Sequence, residues 1–214
     1  MPLSINRRDF LKLTGITLGA AAVTCTGLGF AASRAPDIAT PDYAFGKENQ
    51  MSPRILVLYA TRAGSTTEVA AAIGETLSAG GYAVDVKSFK SNPSLAGYQA
   101  VVMGSAVRMT AWLPEAVDYV KKNQDALKKM PVSVFSVHMQ NTGDDETSQA
   151  NRRSYLRDVR ALIQPVTEGY FAGKMDFSRL SFLDKLISNL VKAKEEDQRN
   201  WDVIRGWAQA IPLN

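Results

Sequence analysis

From Arg54 onward the hydrophobic pattern switches repeatedly between short continuous apolar runs and apolar residues at helical spacing, and no other feature restricts the fold as strongly. Ile55-Leu56-Val57-Leu58-Tyr59 is apolar at every position, as a strand buried on both faces must be. Val69, Ile73 and Leu77 then recur at helical spacing until Gly80-Gly81 ends the segment. Further strands are expected over Val84–Phe89, Ala100–Gly104, Val132–Val137 and Val166–Phe171. Helices are expected from Pro114 (with Val117, Val120 and Leu127), around Leu156, Val159 and Ile163, along the stripe Phe182–Val191, and near Trp201–Ile211. Such alternation predicts an α/β fold, a doubly wound sandwich around a five-stranded parallel sheet.

Ligands of such sheets sit beyond the carboxyl ends of the strands, near the point where strand order reverses. Attention therefore falls on the turn that leaves the first strand, Ala60-Thr61-Arg62-Ala63-Gly64-Ser65-Thr66-Thr67. Thr61, Ser65 and Thr66 supply hydroxyl donors, and Gly64 lets backbone amides come close to an anion. The helix that follows directs its unsatisfied N–H groups and positive dipole end to the same place. Together they make a phosphate cradle. A triphosphate loop would need a Gly-Lys-Ser/Thr ending, and the dinucleotide loop needs G-x-G-x-x-G; neither is present at this turn.

Two scarcities narrow the chemistry. Cys25 and His138 are the only residues of their types, which excludes a Cys/His zinc site, a CxxC pair and an internal disulfide. Redox chemistry would fall to an organic cofactor or to a metal held by carboxylates. Asp144, Asp145 and Glu146 form an acidic run, but a metal needs converging ligands that a local run does not supply. The net charge of +4 is mostly local, because Arg7, Arg8, Lys12 and Arg34 face only Asp9 in the first 35 residues. The rest is nearly neutral, which argues against nucleic-acid binding.

Residues 1–32 read as an export address, with basic Asn6–Lys12 ahead of the mostly apolar Leu13–Ala32. The adjacent arginines, followed by Phe10 and Leu11, resemble a twin-arginine signal, which implies the twin-arginine export machinery as a partner and a periplasmic or outer-face location. A transmembrane anchor is the alternative, since about 20 apolar residues can span a bilayer. Four glycines and four threonines leave this run only mildly hydrophobic. Cys25 is either a passenger in the run or the cysteine of a loose lipoprotein box. Residues 33–52, with Pro36 and Pro41, are expected to be a linker without a core of its own, and residues 53–214 to be the folded domain.

Tyr59, Thr61, Gly64, Thr66 and Ala70 fall in register with the first-strand motif of the flavodoxin superfamily, which this chain resembles over about residues 54–212. The resemblance implies a flavodoxin-like fold with FMN as cofactor, its phosphate held by Thr61, Arg62, Ala63, Gly64, Ser65 and Thr66. Val101–Arg108, Val117–Lys121, Met130-Pro131, Phe135-Ser136-Val137 and Gly169–Gly173 are similar to the menaquinone-dependent protoporphyrinogen IX dehydrogenases. That likeness implies electron transfer to a quinone, with the loops after the third and fourth strands flanking the flavin ring. Ser105, Ala106, Val107, Arg108 and Trp112 fall in the first of these loops, and His138, Gln140, Asn141 and Gly143 in the second. Trp112 is a candidate for stacking on the ring, or else for packing before Pro114. Arg108 and His138 are the catalytic candidates, the one by charge and the other as a proton relay. Lys174, Arg179, Lys185, Lys192 and Lys194, interleaved with Phe177, Leu180 and Phe182, are either a membrane-docking face or the solvated edge of a packed helix. The expected function is an FMN oxidoreductase that passes electrons from a reduced organic substrate, porphyrinogen-like by resemblance, to a quinone. An exported electron shuttle, or a binding module that turns over nothing, is the alternative.

Overall fold

A computed structural model of the chain describes residues 38–46, 52–176 and 196–213. Five parallel strands form the centre of one sheet: β2 (Arg54–Ala60), β3 (Ala83–Ser88), β4 (Ala100–Arg108), β6 (Val132–His138) and β7 (Thr167–Ala172), in the order β3-β2-β4-β6-β7. This is the expected doubly wound sheet, with β2 at the switch in strand order. Two short antiparallel strands extend it to seven: β1 (Tyr43–Phe45) beside β3, and β5 (Ala111–Trp112) folded back on β4. Among the described residues no helix is long and apolar enough to cross a membrane.

Strand β2 shows why a continuous apolar run was needed. Ile55, Val57 and Tyr59 enter one core with Val69, Ile73 and Leu77 of helix α1 (Ser65–Ala79) and Ile204 and Ala208 of helix α6 (Trp201–Gln209). Leu56, Leu58 and Ala60 point to the opposite core, with Ala116, Tyr119 and Val120 of helix α2 (Pro114–Lys122), Leu127 of α3 (Gln124–Leu127), and Leu156 and Val159. Alternate side chains leave opposite faces of a strand, so a strand covered on both sides has no polar positions. The connection between β6 and β7, expected as one helix, is two: α4 (Glu146–Ser154) and α5 (Arg157–Arg160). The stripe Phe182–Val191 lies outside the described residues.

The linker expected over residues 33–52 contains a strand, which corrects that boundary. Tyr43↔Val86 and Phe45↔Val84 set β1 in register on the edge of the sheet. The Tyr59 hydroxyl donates to the Pro41 carbonyl oxygen at 2.7 Å. Phe45 packs over Gly74, where an added Cβ would sit 3.1 Å from its ring. Strand β1 therefore covers an edge that would otherwise expose unpaired backbone groups. Its three-residue length hid it, since so short a run carries no readable period.

Candidate functional site

Between β2 and α1 the chain turns through Thr61–Gly64, with Thr61 and Gly64 buried. The Gly64 N–H donates to Thr61 Oγ1 at 2.9 Å, so the Thr61 hydroxyl braces the turn from inside. Gly64 has φ 90°, a left-handed conformation that a side chain would strain, and serves as N-cap with no side-chain bond to the helix. Its carbonyl accepts from Thr67 N–H at 3.1 Å and Glu68 N–H at 3.4 Å. Ser65 and Thr66 open the helix, where amides have no carbonyl of an earlier turn to meet. Thr66 is 0% exposed, and its hydroxyl has no hydrogen-bond partner among the described residues. A 15-residue helix with glycine as its N-cap, no side-chain cap bond, and first-turn Thr66 and Thr67 hydroxyls orphaned among the described residues has donors that an anion could meet.

The other residues of the turn divide into holders and supports. Arg62 forks onto Glu115 in the first turn of α2, with NH2 at 2.9 Å from Oε2 and a second bond from NH1 to Oε1. Burial alone would raise the Glu115 carboxyl, but the Arg62 hydrogen bond brings it below its ordinary value. The Arg62 side chain is thus a tie between loop and helix, and Glu115 is a partner that no local pattern announced. Ala63 is half-buried at the tip. Gly173, just after β7, comes so near that a Cβ there would sit 3.3 Å from Ser65 Oγ. The cradle therefore has a second wall from the far end of the sequence.

After β4 the chain makes a two-residue hairpin, with Val107↔Trp112 and Arg108↔Ala111 paired across it. Met109 (φ 49°) and Thr110 (φ 62°) occupy its tip, both left-handed, and Met109 is 85% exposed. Ser105 is buried and fully used: its hydroxyl donates to the Ala106 carbonyl at 2.8 Å and accepts from Leu113 N–H at 3.0 Å. Ala106 and Val107 pack partly on the core, and Arg108 is exposed at the strand end. Trp112 departs from the stacking expectation. It is 4% exposed, and its indole N–H donates to Ser136 Oγ at 2.8 Å inside the core. Packing before Pro114 is the role the structure supports, because a buried indole N–H keeps its partner.

After β6, His138 is buried with Nδ1 2.7 Å from the Gln140 carbonyl oxygen and its ring 5.4 Å from that of Tyr155. Burial lowers its pKa, so the imidazole is neutral at pH 7. With Nδ1–H donating to Gln140, Nε2 is left an acceptor, buried and without a partner among the described residues. The loop behind it is cross-braced. Asn141 (φ 57°) donates to Tyr155 OH at 2.6 Å, and Arg152 NH1 donates to the carbonyls of Asn141 at 2.6 Å and Gly143 at 2.5 Å. Gln140, Asn141 and Gly143 thus present a fixed backbone, while Arg152 and Tyr155, which fix it, went unmarked in the sequence. Within the acidic run, Asp145 is a helix cap, accepting from Ser148 N–H at 2.9 Å.

Because β2, β4 and β6 are neighbours in the sheet, these three loops emerge side by side at its carboxyl edge. Turn Thr61–Gly64 with the start of α1 would be the anion end. The hairpin and the His138–Gly143 loop border the space beside it. The model of the flavodoxin domain matches residues 56–202. Protoporphyrinogen IX dehydrogenase [quinone] of Leishmania major is 27% identical over 180 residues, covering 76% of this chain and 77% of that protein. The protein of the same description from Escherichia coli K12 is 27% identical over 164 residues, covering 73% of this chain and 90% of its own. Among solved structures, an archaeal flavodoxin is 19% identical with a TM-score of 0.41, over 65% of this chain and 99% of that one. Oxidised flavodoxin 2 of Bacillus cereus is 20% identical with a TM-score of 0.42, over 74% of this chain and 97% of its own. With 147 of its residues matched, and an uncapped helix start and orphaned Thr66 hydroxyl that fit a flavin phosphate, the chain belongs to the flavodoxin domain family, whose cofactor is FMN.

Proposed function

We propose that this protein is an FMN-dependent oxidoreductase that takes electrons from a reduced organic substrate of the porphyrinogen kind and delivers them to a quinone. Its redox character follows from its family; the substrate and acceptor are inferred from the likeness to the quinone-linked dehydrogenases of Leishmania major and Escherichia coli. The observation that carries the reading is the cradle itself, a buried and unpartnered Thr66 hydroxyl beneath an uncapped helix start. FMN held there would supply one- and two-electron chemistry that no side chain of this protein can. The protein's part is placement. Thr66, Ser65 and the first amides of α1 hold the phosphate, Thr61 keeps the turn rigid, and Arg62–Glu115 ties the turn to α2.

At the ring end the protein offers two different surfaces. His138 Nε2 is a neutral acceptor that can take a hydrogen bond or a proton at the end of β6. The hairpin carries Arg108 and the apolar Met109 outward, a combination suited to a flat hydrophobic molecule that bears a polar group. Reduction of a soluble quinone by FMN-loaded protein, driven by a reduced porphyrinogen, tests the reading. Flavin reduced by a chemical donor and reoxidised by quinone no faster than by air would reject quinone as acceptor.

We propose further that the chain is exported by the twin-arginine route to the periplasm or the outer face of the membrane. The motive is Arg7-Arg8 followed by Phe10-Leu11. Because the cradle exists only once β2, the turn and α1 have assembled, cofactor loading would precede export, which suits a route for folded cargo. Replacing Arg7 and Arg8 by paired lysines is expected to retain FMN-loaded precursor in the cell. Normal export of that variant would reject the route.

A further inference from the structure

Helix α1 starts with an electrostatic conflict. Glu68 lies in its first turn, which puts a negative charge close to the end that would receive the phosphate. A negative charge there opposes the anion that the helix dipole attracts. The counter-charge comes from 131 residues further along the chain. Arg199 NH1 donates to Glu68 Oε2 at 2.5 Å, while Nε and NH2 fork onto Asp197 at 2.8 and 2.6 Å. Its side chain is only 6% exposed, and the guanidinium lies 4.6 Å above the centre of the Trp201 ring.

Around this arginine further charges gather. Lys174 stands opposite Asp197 in a two-stranded ribbon, β8 (Lys174–Met175) with β9 (Glu196–Asp197). The Arg199 bond, with Lys174 adding its field, holds the Asp197 carboxyl at about 2. Glu68, Asp197, Arg199 and Lys174 thus contribute two charges of each sign. The cluster is also fixed to the cradle through the backbone. Gln198 N–H donates to the Gly173 carbonyl at 3.1 Å, and Gly173 is the residue that abuts Ser65.

We propose that Arg199 is a positioning residue for the flavin phosphate: it cancels and holds the Glu68 carboxylate so that the start of α1 presents positive potential to the anion. An exposed ion pair is worth little, but Arg199 is itself buried, forked onto Asp197 and stacked on an indole, so its charge is already in place where its remaining NH1 meets Glu68. The inference rests on FMN as the ligand. It predicts that the tie affects the phosphate and leaves recognition of the flavin ring unchanged.

Titrating the flavin-free protein with FMN and with riboflavin, which differ by the phosphate alone, tests this. Arg199→Gln is expected to weaken FMN about tenfold, the scale of removing one positive charge at partly screened range, with riboflavin affinity unchanged. Adding Glu68→Gln to that variant should restore most of the loss, and raising salt should shrink it. Equal losses for both flavins, an unchanged FMN affinity, or no recovery in the double variant would overturn the proposal. If Arg199→Gln does not fold, Glu68→Gln alone decides, since it should tighten FMN relative to riboflavin; no change or a weakening overturns the idea. Unaltered protein that takes up riboflavin but gains nothing from the phosphate would reject the cradle as well.

Discussion

Thr66→Val should move stability and cofactor affinity in opposite directions. The Thr66 hydroxyl is fully buried without a hydrogen-bond partner among the described residues, so until a ligand meets it, it carries a desolvation cost of about 1–3 kcal/mol that a methyl group does not. Valine and threonine have nearly equal helix propensities, so nothing in the backbone offsets the gain. Flavin-free Thr66→Val should therefore melt higher, by about 2–4 °C for each kcal/mol gained in a domain of this size. With FMN the sign reverses. A hydrogen bond to a charged phosphate contributes about 1.5–3 kcal/mol, so affinity should fall roughly tenfold to a hundredfold. At saturating FMN the two melting curves should draw together or cross, since ligand stabilisation follows affinity. Thr61→Val is the control: it strips Gly64 N–H of its acceptor inside the turn and should lower stability and affinity together. Thermal denaturation with and without FMN, and titration by flavin fluorescence, provide the measurements. A lower melting point for flavin-free Thr66→Val, or an unchanged FMN affinity, would refute the assignment of this hydroxyl to the ligand.

Met109 and Thr110 both sit at positive φ in a two-residue hairpin, a geometry that costs a side-chain-bearing residue about 1–2 kcal/mol. Replacing the pair with Asn-Gly, which this turn favours, should raise the denaturant midpoint with an unchanged slope. A lower midpoint would mean that the tip is held by contacts worth more than the strain. His138 gives a pH signature. Burial lowers its folded pKa, so the unfolded chain takes up the proton first as pH falls. Its contribution is complete above about pH 6.5 and is lost as pH drops through the folded value. His138→Gln should flatten the part of the curve below about pH 6.5, and an identical curve in the variant would place the titration elsewhere.

Much of the fold was legible because its signals are local. The apolar run Ile55–Tyr59, the helical spacing of Val69, Ile73 and Leu77, and Gly80-Gly81 each fix a nearby stretch of backbone, and five parallel strands follow where the pattern places them. The position of the cradle was legible for the same reason, since a strand, a glycine turn and a helix start are contiguous. The role of each hydroxyl was not. Thr61 and Thr66 read alike as donors, yet one is spent on Gly64 N–H and the other stands without a partner. Trp112 read equally well as a ring to stack and as a core residue until the Ser136 hydroxyl, 24 residues away, settled its orientation. Strand β1, too short to show a period, owes its existence to the open edge of β3 and the bare surface of Gly74. Glu115 for Arg62, Tyr155 for Asn141 and Arg199 for Glu68 are further cases, joined across spans of chain that no motif covers. The sequence alone determined the strands, the helices and the loop that would meet the phosphate, because backbone preferences and burial patterns act over a few residues. Only the tertiary structure decided which polar groups are free to bind and which are already engaged, because hydrogen bonds and ion pairs depend on which distant atoms the fold brings within about 3 Å of one another.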